Sequence, residues 1–260
     1  MRCFFVLASS VLLIVCLSPA YGRKATPQLS PVSRPVLKMV KSTKTNTRGN
    51  WRGAKTSLLI LHQYSDYMCP YCGIVFKRMN KLVKRYPKTI RMIYHYFPLD
   101  HTCNSMIKRP FHIGACRLAR AAFCAEEQGK FWELSWVLFG KSKKLKGKAL
   151  FKEVQKLSLD LSAFKGCLKS PKARHFVSQE VRNGIALKLQ GTPTFILKWS
   201  DGRLIHRGYF MNNNTSNNKS VMTYKALENL IKKASKIRTK RTKSYKPSSQ
   251  PASKPAPKKR

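Results

Sequence analysis

Acidic residues are scarce: the chain of 260 residues holds 10 Asp plus Glu against 52 Lys plus Arg, a formal net charge of +42. So strong a bias excludes a surface indifferent to polyanions, but it says nothing of fold. Long apolar runs are missing as well. The one apolar stretch near the start, residues 3–17, falls short of the roughly 20 residues that span a bilayer comfortably, and no later segment has the length or apolarity. A polytopic membrane protein is therefore not expected. There is no second Cys-x-x-Cys and no His pair of matching spacing to complete a zinc module, so the sequence requires neither metal nor cofactor. Internal repeats and groove-reading motifs are also absent, and base-specific nucleic-acid recognition is not expected. What remains, 43% hydrophobic residues, is enough to bury the core of one ordinary domain or two small ones.

The ends differ from the middle. Arg2, the apolar run and the small residues Ala20 and Gly22 of Ala20-Tyr21-Gly22 have the layout of a signal peptide over residues 1–22. Cleavage before Arg23 would leave a periplasmic or secreted protein; an uncleaved anchor is the alternative. Segments 23–55 and 238–260 are basic and rich in Ser, Thr and Pro, hold no acid and show no periodicity, which predicts a disordered linker and a disordered tail. Anionic lipids or envelope polymers are the partners such arms would attract without specificity.

One domain is expected over 56–237. A short apolar run at 57–64 reads as a buried strand and is followed at once by Cys69-Pro70-Tyr71-Cys72. Val75, Phe76, Met79, Leu82 and Val83 then recur at spacings of three and four, the pattern of a helix, and Pro87 lies just past its end. A second strand is predicted over 90–97. Residues 110–189 carry helical periodicity throughout, in five segments at 114–128, 130–139, 149–157, 161–169 and 171–189. After Gly191-Thr192-Pro193, the runs at 194–199 and 203–207 flank an Asp201-Gly202 hairpin signal, and 222–237 closes as an amphipathic helix. The fold class is α/β, with an all-helical insertion between the second and third strands.

The chemistry lies in the cysteine pair. A thiolate attacks disulfides and a thiol does not, so a redox cysteine needs a lowered pKa and an accessible sulfur. Cys69 stands where the following helix begins, and unpaired N–H groups there favour a negative sulfur. Pro70 suits the first helical position because its missing N–H costs nothing. Cys72, one turn on, can resolve the mixed disulfide that Cys69 forms. The bland alternatives are a structural disulfide or half a zinc site.

Four separated motifs in order, Ser65 to Cys72, Phe97-Pro98-Leu99-Asp100, Ala122 to Glu133 and Gly191-Thr192-Pro193-Thr194-Phe195, resemble bacterial DsbA-like thiol-disulfide oxidoreductases of thioredoxin-like fold. The chain is also similar to the thioredoxin domain fused to vitamin K epoxide reductase in some bacteria. The resemblance implies an enzyme that exchanges disulfides with exported protein thiols and acts as a dithiol oxidase, reoxidised by a DsbB-like or vitamin K epoxide reductase-like membrane partner. It further implies that Thr192-Pro193 is a cis-proline loop facing the redox pair and holding substrate backbone, with Pro70 and Tyr71 as further substrate contacts. Gln63 departs from the pattern: many relatives carry a buried acid there, and an amide takes no proton at physiological pH.

If the signal peptide is removed, Cys103, Cys116, Cys124 and Cys167 remain beside the redox pair, and four cysteines allow three pairings. Cys103 with Cys116 and Cys124 with Cys167 is preferred, the first tying a loop to a helix start and the second fastening two inserted helices. The sharper alternative is a metal site from His101, Cys103, His112 and Cys116. His95, His175 and His206 look unclustered, and the aromatic stripe Phe131, Trp132, Trp136 and Phe139 reads as core. Competing functions are a reductase or isomerase with the same motif, and a polyanion-binding envelope protein on a thioredoxin-like scaffold.

Overall fold

The computed structural model describes residues 49–211 and 218–244, so the expected signal peptide, most of the linker and the end of the tail lie outside the described residues. Strand β1 (Trp51–Arg52) leads to β2 (Leu59–Ser65), helix α1 (Pro70–Arg85) and β3 (Ile90–Tyr96). A helical block follows: α2 (Ala115–Glu127), α3 (Phe131–Lys141), α4 (Lys148–Lys156), α5 (Leu161–Lys169) and α6 (Pro171–Ala186). The chain returns as β4 (Thr194–Trp199), β5 (Leu204–Met211), β6 (Val221–Thr223) and α7 (Tyr224–Ser244). Strand order in the sheet is β1-β3-β2-β4-β5-β6. The pairs β2 with β3 and β5 with β6 are parallel; the others are antiparallel.

Alternation along β2 sends Leu59 and Leu61 to the face that meets α1 and α7, where they cluster with Val75, Met79, Leu227 and Ile231. A second cluster joins Tyr94 and Tyr96 of β3 and Phe76 of α1 to the inserted helices through Phe123, Phe131, Leu134 and Phe164. Trp132 packs against both clusters, so the insertion and the sheet share one interior. The stripe is not uniformly core: Phe131 is buried, whereas Trp136 is exposed and meets Phe76 edge-on. Local chemistry sets the helix starts. Asp160 accepts from the Ala163 N–H and Ser170 from the Ala173 N–H, each capping a first turn, and Pro171 occupies the first position of α6. Gly184 of α6 lets Phe97 approach, since a Cβ there would lie 2.4 Å from its ring.

The domain is wider than its sequence pattern. Trp51 and Arg52, expected in the linker, pair with Ile93 and Met92, and the Arg52 guanidinium lies 4.2 Å over the Trp132 ring while donating to Asn80 Oδ1 at 2.7 Å. Two residues are too few to show a strand period. At the other end, residues 238–244, expected in the tail, continue α7 to Ser244: Lys, Arg and Thr prolong a helix in the absence of a breaker, and the next Pro is Pro247. With β1 counted, the insertion falls between the third and fourth strands. Strand β6 was not foreseen either; a Cβ on Gly208 would lie 2.0 Å from the Ser220 carbonyl, so only Gly lets β6 approach β5 this closely.

Candidate functional site

Cys69 is the N-cap of α1, with extended backbone at φ −77° and ψ 118°, and Pro70 follows at the first turn. The start of α1 carries no acidic residue that would oppose a negative sulfur. Both Cys69 and Cys72 are free thiols in this structure. Cys69 is only 6% exposed, less open than a nucleophile expected at a helix start, because the loop before β4 covers it: its sulfur lies 3.4 Å from the Thr192 carbonyl. The Thr192-Pro193 peptide bond is cis.

The two thiols are driven apart. A hydrogen bond from the Cys72 thiol, the largest influence, lowers Cys69 to about 6 against the effect of burial; the Cys72 N–H and Thr192 assist, and the Asp66 charge opposes. Burial first, then the bond and charge of Cys69, push Cys72 well above its ordinary value. One sulfur is therefore poised as thiolate and its neighbour as thiol. Because the folded pKa of Cys69 lies below its unfolded value, the thiolate stabilises the reduced fold fully above about pH 8.5, and that contribution is lost as pH falls through about 6. Alkylation should follow the same curve: at pH 7 about nine-tenths of Cys69 should be reactive thiolate, against a few per cent of an ordinary thiol. Iodoacetamide rates for Cys69 that reach half-maximum near pH 8.5, or earlier alkylation of Cys72, would reverse the assignment.

Beside the pair runs a groove of about 690 Å³ whose lining includes Tyr71, Ile74, Thr192, Pro193, Phe210 and Met211. Tyr71, Ile74 and Met211 are large apolar side chains left exposed on its walls. Of the residues anticipated for substrate, the structure thus brings Tyr71, Thr192 and Pro193 together; Pro70 is exposed at the helix start and is not part of the lining. Gln63 is fully buried on the face of β2 that carries Leu59 and Leu61, and its Nε2 donates to Ser65 Oγ. It offers no carboxylate for proton transfer.

The remaining cysteines among the described residues form Cys103–Cys116 and Cys124–Cys167 disulfides, so the thiols required by the alternative metal set are consumed. His95 is not isolated. It bonds His62 at 2.9 Å and Glu180 of α6 at 3.0 Å and stacks on Tyr64; burial, then the charges of His95, Lys198 and Arg91, keep His62 well below its ordinary pKa. Near the redox pair the side chains of Asp66 and His112 bond at 2.7 Å, a pairing that sequence reading missed: Asp66 figured only within the Ser65 to Cys72 motif and His112 only in the alternative metal set. They are far apart along the chain, and no spacing rule links them.

Comparison with known proteins follows the same outline. Residues 60–216 match the family model of the DSBA-like thioredoxin domain. Similar solved structures include Wolbachia pipientis α-DsbA1, at 21% identity and TM-score 0.53, covering 74% of this chain and 93% of that one. The thiol-disulfide exchange protein α-DsbA2 of the same organism has 15% identity and TM-score 0.55, covering 78% and 96%. The catalytic domain of Proteus mirabilis ScsC has 18% identity and TM-score 0.54, covering 77% and 97%. At such identities the likeness is one of fold. Among curated proteins, Na(+)/H(+) antiporter NhaA 3 of Salinispora tropica is 29% identical over 62% of this chain and 23% of the antiporter. NhaA 1 of Mycolicibacterium vanbaalenii is 27% identical over 74% of this chain and 30% of its own length. The chain thus spans less than a third of the length of these curated relatives.

Proposed function

This chain belongs to the DSBA-like thioredoxin domain family, and from that premise we propose that it is a thiol-disulfide oxidoreductase that works through Cys69 and Cys72 as a dithiol oxidase of exported proteins. The observation that carries the reading is the divergence of the two thiols, one low at about 6 and one high, beside an apolar groove lined by Tyr71, Thr192 and Pro193.

The steps balance without a cofactor. A substrate thiolate attacks Cys69 in the Cys69–Cys72 disulfide; that S–S bond breaks, and its electron pair leaves on Cys72, which takes a proton. The second substrate thiolate then attacks its own sulfur in the mixed disulfide, and Cys69 departs as thiolate. A low pKa makes Cys69 a good leaving group, which favours this direction. Two electrons have passed from substrate to the pair, and a membrane protein of the DsbB or vitamin K epoxide reductase type would remove them. The groove suits an extended segment, with the Thr192-Pro193 loop beside the attacked sulfur and Tyr71, Ile74 and Met211 offering apolar contact.

Export is part of the proposal. Two disulfides outside the redox pair are at home in an oxidising compartment, and no helix among the described residues is long and apolar enough to cross a membrane. The charge of +42 supports a looser, salt-sensitive attraction to anionic lipids or envelope polymers.

Direction is tested by the reduction potential of the pair. Stabilising the thiolate stabilises the reduced form, so the disulfide becomes more oxidising as the nucleophile's pKa falls. A thiol at about 6 lies between the reference cases near 7 and near 3.5, whose potentials are about −270 and about −120 mV, which predicts a potential between those two against glutathione. A value at or below about −270 mV would replace the oxidase reading with a reductase.

A further inference from the structure

We propose that His112 is a positioning residue for the redox pair: carried on a loop pinned at both ends, it grips the buried carboxylate of Asp66 and supplies the positive charge that balances it beside the Cys69 sulfur. The inference rests on the reading of Cys69 as nucleophile.

Asp66 forms the turn that delivers Cys69 to α1. Its carbonyl accepts the Cys69 N–H at 3.2 Å, its own N–H bonds the Cys72 sulfur, and its Oδ1 accepts the Met68 N–H at 2.6 Å. The side chain has no exposure to solvent. A buried carboxylate in the turn that carries a developing thiolate works against it, since a like charge nearby disfavours the charged thiol. The opposing influence of Asp66 on Cys69 is that effect. A cation held against the carboxylate would relieve that opposition.

His112 is placed to do so. Asp66 Oδ2 meets His112 Nδ1 at 2.7 Å and accepts the Leu99 N–H at 2.8 Å. The loop that brings His112 there is closed by the Cys103–Cys116 disulfide. Asp100 pins it further, accepting from the Thr102 N–H, the Gly114 N–H and the Cys116 N–H at 3.0, 2.8 and 3.2 Å. His112 itself has φ 23°, in the positive range that non-glycine residues rarely occupy, and Phe111 stacks on its ring at 4.1 Å. The acidic and thiol groups that face it are Asp66, Asp100 and Cys69, while His101 approaches the far partner Asp100 at 3.6 Å. Its pKa is raised, chiefly by the Asp66 bond, against burial, and then by the charges of Asp66, Cys69 and Asp100.

Linkage gives the inference a form that a scaffolding role lacks. If the Cys69 thiolate raises His112, protonated His112 must lower Cys69 by the same amount. His112 should therefore titrate higher in the reduced protein than in the oxidised one, where no thiolate exists.

The test uses His112→Asn, which tolerates positive φ and keeps an N–H for Asp66 but removes the charge. Thiolate absorbance near 240 nm should show the Cys69 pKa rising by about one unit, a tenfold loss of thiolate at acidic pH. In Asp66→Asn/His112→Asn the pKa should return toward the wild-type value, because the carboxylate that needed balancing is gone. Imidazole NMR of the unmutated chain should show the reciprocal shift between redox states, so the inference is tested even if a variant fails to fold. An unchanged Cys69 pKa in His112→Asn, an equal rise in the double variant, or identical His112 titrations in both redox states would each overturn it. If the wild-type chain shows no thiol well below the ordinary 8.5, the nucleophile assignment itself fails, and that outcome is read before any variant is made.

Discussion

Cys69→Ser should lose oxidation of a reduced protein substrate by on the order of a thousandfold or more, down to the uncatalysed background, while Cys72→Ala should accumulate covalent adducts instead. The two losses differ in kind. A serine oxygen forms no disulfide, so without Cys69 there is no electrophilic sulfur for substrate to attack and no thiolate to leave. Without Cys72 the chain has no disulfide to donate and Cys69 loses the hydrogen bond that lowers it most, yet the backbone N–H of residue 72, Thr192 and the helix start still favour its thiolate, which attacks disulfides it meets. The resulting mixed disulfide has lost its resolving thiol and persists. Non-reducing electrophoresis with mass analysis of Cys72→Ala reads the adducts, and their partners would name substrates. Retention of more than about a tenth of activity by Cys69→Ser would sink the assignment. So would a Cys72→Ala protein that gathers no more adducts than Cys69→Ala.

Removing the Cys124–Cys167 bridge should be the most destabilising change outside the site. It joins α2 to α5 across a sequence separation of 43, against 13 for Cys103–Cys116. In the chain-entropy account such loops are worth about 4 and about 3 kcal/mol respectively, the longer loop freeing more of the unfolded chain. Cys124 is also fully buried in the cluster that holds Phe123, Phe131 and Phe164, so alanine there forfeits packing besides the cross-link. Urea unfolding of Cys124→Ala/Cys167→Ala should show the midpoint falling and the slope rising, because the chain freed of the cross-link unfolds to a more expanded state. Turnover per folded molecule should be preserved, since the bridge touches neither sulfur of the pair. A loss under about 1 kcal/mol would mean that the helical block is held by packing alone.

Much of the fold was legible in sequence because its signals are local. Asp160 and Ser170 announce helix starts through their own side chains, and the predicted 161–169 matches α5 to the residue. Periodicity placed β3 and β4. Elements too short to have a period were invisible: Trp51–Arg52 and Val221–Thr223 are strands only because β3 and β5 offer open edges. The end of α7 was misplaced for a related reason, since basic composition was read as disorder where nothing interrupts the helix before Pro247.

For the site, the sequence by itself determined the nucleophile's setting. A Cys-Pro-x-Cys run between a strand and a helix puts the first sulfur at a helix start and the second one turn away, whatever the rest of the chain does. Only the tertiary structure decided how that setting is tuned. The Thr192 carbonyl over Cys69, the groove wall supplied by Phe210 and Met211, and the Asp66–His112 contact all join residues distant in sequence. The cluster of His62, His95 and Glu180 is of the same kind. Charge and hydrogen bonding fall off within a few ångströms, so a thiol's pKa depends on which groups chain closure brings that near, and spacing along the sequence does not carry that information.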